Sequence, residues 1–332
     1  MKRHKNTKRR ILSFLICLIS SILLVFLLVL LSVLLDDTPE PDRRAVSARA
    51  EAEAAPTVEP APLVIDYPDP NAPVRNDALQ QILDAFVAGH PGEWDIYVYN
   101  LTHGDIASAN TVNGQPMISA SLIKLYIMGA VFEQIQGEKL QYWDVYGSVK
   151  YMIALSDNYS ANYLIHRLGE GDPARGFECV NAFAQSIGCE KTSIHRSLLE
   201  TDTEEENYTS AEDCAILLKQ LYRCILVSPE YSKTMIELLE GQTVNDRLPV
   251  GLPAGTVCAH KTGDLTNLSC GDVGLIFSPQ ADYILAVINN HSTDDPATIA
   301  AIADLSAQVY AFFNPPVEET VPSEDTDPVA GP

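Results

Sequence analysis

A serine and a lysine three positions apart stand at the start of an apolar run in the first half of the chain. Ser121 and Lys124 open a predicted helix over residues 121–134, and a spacing of three places both side chains on one helix face. A serine hydroxyl becomes a strong nucleophile when a base takes its proton, and a lysine becomes such a base when burial or nearby cations lower its pKa. The pair therefore predicts nucleophilic catalysis, with a capping serine followed by a surface lysine as the structural alternative.

Two further polar motifs follow along the chain. Ser156-Asp157-Asn158 lies between two apolar stretches, where we expect a turn between helices. Lys261-Thr262-Gly263 ends a predicted strand that begins at Thr256. Each motif alone is compatible with an ordinary polar loop or strand end. All three in this order, on helix, loop and strand, indicate one composite site.

These motifs resemble those of the class A β-lactamase and penicillin-binding-protein superfamily of active-site serine enzymes. The resemblance covers residues 77–313 and includes Leu252-Pro253-Ala254-Gly255 before the Lys261 strand. It implies a β-lactamase/transpeptidase-like fold and an acyl-enzyme formed on Ser121. It also implies that the reaction needs no metal ion and no cofactor.

The resemblance assigns roles to the catalytic side chains. Ser121 would attack a carbonyl carbon, with Lys124 as the nearest proton acceptor. Ser156 would relay a proton between a lysine and the leaving nitrogen. Asp157 is expected to hold its loop together rather than take part in the reaction.

The remaining motif residues would bind the substrate. By the same resemblance, Asn158 would hydrogen-bond the substrate amide, and Lys261 with Thr262 would bind a substrate carboxylate. Gly263 would leave room for the substrate along the strand. The backbone N–H of Asp264 would complete the oxyanion hole together with that of the nucleophile.

One element of the class A pattern is missing. These enzymes use a glutamate to activate the water that releases the acyl group, and the corresponding segment here is Arg196-Ser197-Leu198-Leu199-Glu200. Leu198 stands at the expected glutamate position, and Glu200 lies two positions further on. Further acidic candidates are Asp202, Glu204, Glu205 and Glu206.

Three functions therefore stay open. The first is a β-lactamase, and the second is a cell-wall peptide carboxypeptidase or penicillin-binding enzyme. The missing glutamate favours the second function or slow β-lactam turnover. The third is a sensor module that binds cell-wall fragments or β-lactams without turnover. Two lysines around two serines argue against the third function, because a binding site has no need of both amines.

Sequence patterns also predict the elements that position these motifs. Apolar residues recur at helical spacing in 77–87 and 296–313, and 120–240 consists mostly of helical patches. Alternating or β-branched runs predict strands at 94–101, 106–110, 256–262, 272–277 and 283–289. This order predicts a mixed α/β (α+β) fold, with an antiparallel sheet flanked by helices and an all-helical lobe.

The N-terminus predicts a membrane anchor. Residues 11–35 are 25 consecutive uncharged, mostly apolar positions, preceded by six Lys or Arg residues. Such a run spans a bilayer, and the positive-inside rule places residues 1–10 in the cytoplasm and the rest outside. A cleavable signal peptide is the alternative. We expect a Pro/Ala/Glu-rich linker over 36–76, a catalytic domain over 77–314 and a disordered acidic tail over 315–332.

Charge and cysteine content limit the partners. The 332-residue chain has 44 acidic and 22 basic side chains, a net charge of −22, so nucleic-acid binding is not expected. We attribute the charge to an acidic surface that aids solubility. Of six cysteines outside the anchor, Cys258 and Cys270 flank a predicted turn and are the expected disulfide pair. Oligomeric state is not predictable from this sequence.

Overall fold

The computed structural model describes residues 73–200, 203, 205–292 and 294–316. The predicted basic tail, membrane anchor and most of the linker and acidic tail lie outside these residues.

A six-stranded sheet forms the centre of the domain. In chain order the strands are β1 (Val74–Arg75), β2 (Glu93–Asn100), β3 (Asp105–Asn110), β4 (Met117–Ile118), β5 (Tyr208–Thr209), β6 (Val257–Leu265), β7 (Ser269–Phe277) and β8 (Tyr283–Asn290). The sheet has the order β1-β3-β2-β8-β7-β6, and β4 pairs with β5 separately. The pairing of β1 with β3 is parallel, and the other described pairings are antiparallel.

Helices cover both faces of this sheet. They are α1 (Asp77–Gly89), α2 (Lys124–Gln136), α3 (Tyr142–Ala154), α4 (Asn158–Leu168), α5 (Pro173–Ser186), α6 (Ala211–Tyr222), α7 (Pro229–Glu240) and α8 (Asp295–Phe313). Helices α1 and α8 share one hydrophobic core with the sheet, and α2 to α7 build the second core. Helix α8 is long and apolar enough to span a membrane, yet its apolar residues pack on the sheet. The predicted sheet flanked by helices, with an all-helical lobe, is confirmed.

The central strand β8 explains why the two cores meet at the sheet. All eight of its residues are buried, as expected for a strand covered on both faces. Tyr283, Leu285 and Val287 pack with α1 and α8, whereas Ile284, Ala286 and Ile288 face the helical lobe. A nearly continuous apolar run therefore specifies a central position in the sheet.

A short strand precedes the predicted start of the domain. Val74 and Arg75 form strand β1 beside Asp105 and Ile106, within the last residues of the expected linker. Backbone hydrogen bonds from Val74 N to Gly104 O (3.1 Å) and from Asn76 N to Ile106 O (2.9 Å) hold this strand. Two residues are too short to produce an alternation pattern in the sequence, which is why the strand was missed.

The predicted disulfide between Cys258 and Cys270 is wrong. The two residues do lie on neighbouring strands of a hairpin, but Cys258 pairs with Ile276, and Cys270 pairs with Asp264. This register separates the two cysteines by six positions along the hairpin, or about 20 Å, well beyond the reach of a disulfide. Both thiols are free, as are the other four cysteines of the described residues.

Candidate active site

Ser121 lies in a short turn rather than in a regular α-helix. Residues Ala120–Ile123 form a 3₁₀ turn, and α2 begins only at Lys124. Ala120 has a left-handed backbone with φ of 44°, a conformation that costs energy for a residue with a Cβ and occurs often at functional sites. The amide and the hydroxyl of Ser119 both bond the Asn207 carbonyl, at 2.8 and 3.0 Å. Contacts distant in sequence therefore fix the turn that carries Ser121.

Lys124 connects the first two motifs. Its fully buried amine donates to Ser121 Oγ at 2.9 Å and to Ser156 Oγ at 3.2 Å. The same nitrogen lies 2.6 Å from both the Ser156 carbonyl and Asn158 Oδ1. A single amine thus contacts the predicted nucleophile and both polar ends of the second motif.

Lys261 completes the contact between motifs. Its amine is also fully buried and donates to Ser156 Oγ at 3.0 Å and to the Thr262 carbonyl at 2.7 Å. The Ser156 hydroxyl therefore lies between two lysine amines. This arrangement allows a proton to move from one amine to the other through a single hydroxyl.

The loop between α3 and α4 presents Ser156 in a constrained conformation. Ser156 has φ of 54°, so its backbone turns sharply between the two helices. Asp157 caps α4 by accepting a hydrogen bond from Ser160 N at 2.7 Å. Hydrogen bonding by the side chain and the backbone of Ser160 lowers the pKa of the Asp157 carboxyl. Asp157 thus holds the loop, as expected.

Burial lowers the pKa of both lysine amines and so favours their neutral form. Removal from water lowers the pKa of Lys124 to about 8 and that of Lys261 to about 7. For Lys261, the charge of Lys124 adds to this effect. At neutral pH an amine of this pair is therefore able to accept a proton from Ser121, which an exposed lysine is not.

Glycine allows strand β6 to approach the Ser121 turn. A Cβ at Gly263 would lie 2.8 Å from Leu122 Cγ and 3.1 Å from the Ser119 carbonyl oxygen. Any other residue would push the strand away from the turn. Strand β6 also continues to Leu265, beyond the predicted end, so that the third motif lies within the strand.

A cleft of about 240 Å³ opens beside Ser121. Asn158, Arg196, Leu198 and Asp264 line it together with the serine. The Arg196 guanidinium donates to Glu206 at 2.6 Å, and this ion pair closes the loop that forms one wall. Of the predicted site residues, Ser121, Asn158 and Asp264 therefore line this cavity.

Leu198 occupies the position expected for a water-activating glutamate. Asn162 holds its backbone from both sides, accepting from Leu198 N and donating to Leu198 O, each at 2.8 Å. The leucine side chain is only 8% exposed and belongs to the helical-lobe core. The Glu200 carboxylate accepts from Ser197 N at 3.0 Å and therefore folds back on its own loop.

The other acidic candidates are engaged elsewhere or lie outside the described residues. Glu206 binds Arg196, and Glu205 lies 4.0 Å from His195. Asp202 and Glu204 are not among the described residues. In the described ranges, no group of three or more His, Cys, Asp or Glu side chains is arranged to bind a metal.

Sequence reasoning missed three residues that shape the site. Asn162 and Asn207 fix the two ends of the cleft loop. Arg247 donates to the carbonyls of Gly263 on β6 and of Gly271 on β7. Each acts on backbone groups far away in sequence, so no local motif identifies it. A buried arginine, 2% exposed, becomes recognisable only once the fold is known.

Comparisons with known proteins agree with this geometry. The model of the beta-lactamase enzyme family matches residues 77–147 and 143–313. The chain belongs to the beta-lactamase enzyme family. The predicted resemblance to class A β-lactamase-like and penicillin-binding serine hydrolases is therefore confirmed.

Individual family members are distant in sequence. The extended-spectrum beta-lactamase PER-1 of Pseudomonas aeruginosa is 28% identical over 178 residues, which cover 49% of this chain and 55% of that protein. The chain thus spans about half the length of this curated relative. The solved structure of PBP-A has 27% identity and a TM-score of 0.64, covering 73% of this chain and 98% of PBP-A. A leucine-to-glutamate variant of PBP-A, solved as an acyl-enzyme with penicillin G, has 26% identity and a TM-score of 0.65, with the same coverage.

Proposed function

We propose that this chain is an active-site serine hydrolase that forms an acyl-enzyme on Ser121. The Ser121 oxygen attacks a substrate carbonyl carbon, and the C–N bond to the leaving nitrogen breaks. Neutral Lys124 takes the hydroxyl proton, and the Ser156 hydroxyl relays a proton to the leaving nitrogen. The backbone N–H groups of Ser121 and Asp264 stabilise the oxyanion. Water then cleaves the ester and regenerates the serine.

The observation that supports this proposal is the continuous chain of contacts from Ser121 through Lys124 and Ser156 to Lys261. Its hydrogen bonds measure 2.9, 3.2 and 3.0 Å. Nucleophile, base and relay are thus already within hydrogen-bond distance of one another. A sensor module would need neither buried amine, so we favour an enzyme.

The proposed substrates are β-lactams or cell-wall peptides with a related amide. PER-1 is described as an extended-spectrum beta-lactamase, and the PBP-A variant carries penicillin G. Leu198 favours cell-wall peptide processing or slow β-lactam turnover, because the cleft wall offers no carboxylate at that position. Asn158 would bind the substrate amide, and Lys261 with Thr262 would bind the polar group at its far end.

Mass spectrometry of the protein after mixing with penicillin G tests the proposal. We expect a single adduct with the mass of one intact penicillin, located by peptide mapping on the segment that contains Ser121. The proposed chemistry is excluded if no adduct forms at any time and no hydrolysed penicillin appears in solution.

We expect acylation by a β-lactam to accelerate as pH rises from about 6 to about 9. Because burial sets the pKa of Lys124 at about 8 and of Lys261 at about 7, the neutral amine is scarce at the lower pH and abundant at the higher one. The rising part of the rate-against-pH curve reflects the titration of both lysines together rather than that of a single residue. Rapid mixing with a chromogenic cephalosporin measures it.

The Lys124→Arg protein is the control for this pH profile. Arginine keeps the positive charge but does not release its proton in this range, so the rising limb should be lost. A wild-type rate that falls between pH 6 and pH 9 would contradict the assignment of a lysine base.

We further propose that the chain is a single-pass protein of the cell membrane with its catalytic domain outside the cytoplasm. The support is the uncharged run over residues 11–35 and the six basic residues before it. Protease added to intact cells should remove the domain, with a cytoplasmic protein as the intact control. Protection of the domain until the cells are lysed would refute this location.

A further inference from the structure

We propose that an exposed aromatic surface on the hairpin of helices α3 and α4 binds the uncharged sugar chain of a cell-wall glycan. The inference goes beyond the proposed acylation of Ser121 and takes its choice of partner from the cell-wall substrates proposed above. Half of the ten large hydrophobic side chains that are exposed among the described residues lie on this hairpin. They form the hairpin surface: Trp143, Tyr151, Leu155, Tyr159 and Tyr163. Single exposed apolar side chains are common, but such a cluster marks a binding surface.

The hairpin surface follows the outer faces of both helices. On α3, its members are spaced by eight and by four positions, on the side opposite the buried residues. On α4, Tyr159 and Tyr163 are one turn apart. The two helices run antiparallel, since the Arg167 guanidinium at the end of α4 lies 3.8 Å from the Asp144 carboxylate at the start of α3. The five side chains therefore lie along one hairpin, on faces that the core leaves uncovered.

The hairpin surface begins at the mouth of the cleft. Leu155 directly precedes Ser156, and Tyr159 directly follows Asn158, which lines the cleft beside Ser121. Helix α3 has 13 residues, so it extends about 20 Å away from this end. A polymer whose attached peptide occupies the cleft is therefore able to lie along the hairpin.

The charge of the hairpin indicates an uncharged partner. Residues 142–168 contain two Asp or Glu and two Lys or Arg side chains, whereas the rest of the chain after residue 35 contains 42 acidic and 14 basic ones. So acidic a domain is repelled by polyanions and by anionic bilayers. The hairpin also lacks the basic face of helices that bind membrane surfaces. A neutral, hydroxylated polymer meets neither obstacle.

Ring chemistry favours a sugar as this neutral partner. A Trp or Tyr ring has an apolar face and a polar edge, and a sugar ring likewise has an apolar C–H face and a rim of hydroxyls. Trp143 is 86% exposed, and Tyr142 supports it edge-on with ring centroids 4.8 Å apart. Arg167 Nη1 donates to the Tyr163 hydroxyl at 2.8 Å. Both rings are thus held before a ligand arrives, which reduces the entropy lost on binding.

Tryptophan fluorescence of the full-length protein tests the inference, with chitohexaose, an uncharged oligomer of N-acetylglucosamine, as the probe. The chain has two tryptophans, and Trp94 is buried, so protection from acrylamide quenching reports Trp143. We expect chitohexaose to shift the emission to shorter wavelength and to reduce quenching. Tyr159→Ala should weaken the affinity at least about tenfold. The detergent that keeps the protein in solution must carry no sugar headgroup, because such a headgroup would compete.

The matched control is Ile225→Ala. Ile225 is an exposed hydrophobic residue outside the hairpin, so its truncation should leave the affinity within about twofold of wild type. Trp143→Ala removes the reporter and is measured by co-sedimentation with insoluble chitin, where binding should be lost. A thermal unfolding curve of each variant reports any loss of structure separately.

The outcomes separate this inference from the proposed function. If chitohexaose changes nothing in a protein that penicillin G still acylates, the glycan surface is refuted and the acylation stands. If Tyr159→Ala and Trp143→Ala bind glycan like wild type, the glycan binds elsewhere and the surface is equally refuted. A blue shift with phosphatidylcholine vesicles alone, or a wild-type dimer in which Trp143 is already shielded, would assign the surface to a membrane or to a second copy instead. If glycan binds but penicillin G forms no adduct, the proposed acylation fails while the glycan surface stands.

Discussion

The Ser121→Ala protein will form no covalent adduct with penicillin G. The substitution deletes the attacking oxygen, and loss of the serine nucleophile lowers turnover on the order of 10⁶-fold in a serine protease. The fold should survive, because Lys124 keeps its contacts with Ser156 and Asn158. A fluorescent penicillin followed on a denaturing gel measures the loss directly.

The control for this experiment is Ser148→Ala. Ser148 lies on α3 outside the cleft, so this variant should be labelled like wild type. Persistent labelling of the Ser121→Ala protein would place the nucleophile elsewhere, with Ser156 as the neighbouring hydroxyl to examine first.

Release of the acyl group will be slow in the wild-type protein. Labelling by a β-lactam should give a burst of one equivalent, followed by turnover limited by hydrolysis of the ester. General-base assistance contributes about 10²–10⁴-fold, and Leu198 supplies none. The burst amplitude and the slow phase are both visible with a chromogenic cephalosporin under rapid mixing.

The Leu198→Glu protein should release the acyl group at least about 10²-fold faster. The amide of Asn162 binds the backbone of this residue on both sides, so the new carboxylate would start from a fixed position beside the cleft. Leu199→Glu is the matched control, since it places the same charge one position away on a side chain that is 57% exposed. It should leave the slow phase unchanged.

Fast steady-state hydrolysis by wild type, abolished by Glu200→Gln, would contradict this prediction. Glu200 would then leave its contact with Ser197 and activate the water. Equal acceleration by Leu198→Glu and Leu199→Glu would show that any added charge on the loop is sufficient to speed release of the acyl group. The two hydrogen bonds between Asn162 and the Leu198 backbone would then have no part in it.

Contacts between residues close in sequence were predictable from local patterns, whereas contacts between distant residues were not. Ser121 and Lys124 are three positions apart, so their proximity follows from helical geometry alone. The approach of Lys261 to Ser156 joins residues 105 positions apart and came from family resemblance rather than from any local pattern. The backbone of Ser156 turns left-handed, which a sequence of short polar residues permits but does not specify.

Strand register was the feature that local patterns could not determine. The hairpin containing Cys258 and Cys270 was correctly located, but the position of its turn sets which residues face each other. The turn lies between Leu265 and Ser269, so the two cysteines were separated along the strands. The same register places Asp272 opposite Thr262, a pairing that no motif predicted.

Strand β8 also links the stability of the site to that of the rest of the domain. Its residues point alternately into the core of α1 and α8 and into the core that carries Ser121 and Lys124. Neither core is able to lose this strand without exposing apolar surface of the other, so the two behave as a single cooperative unit. We therefore expect catalytic competence to end in the same thermal transition as the fold.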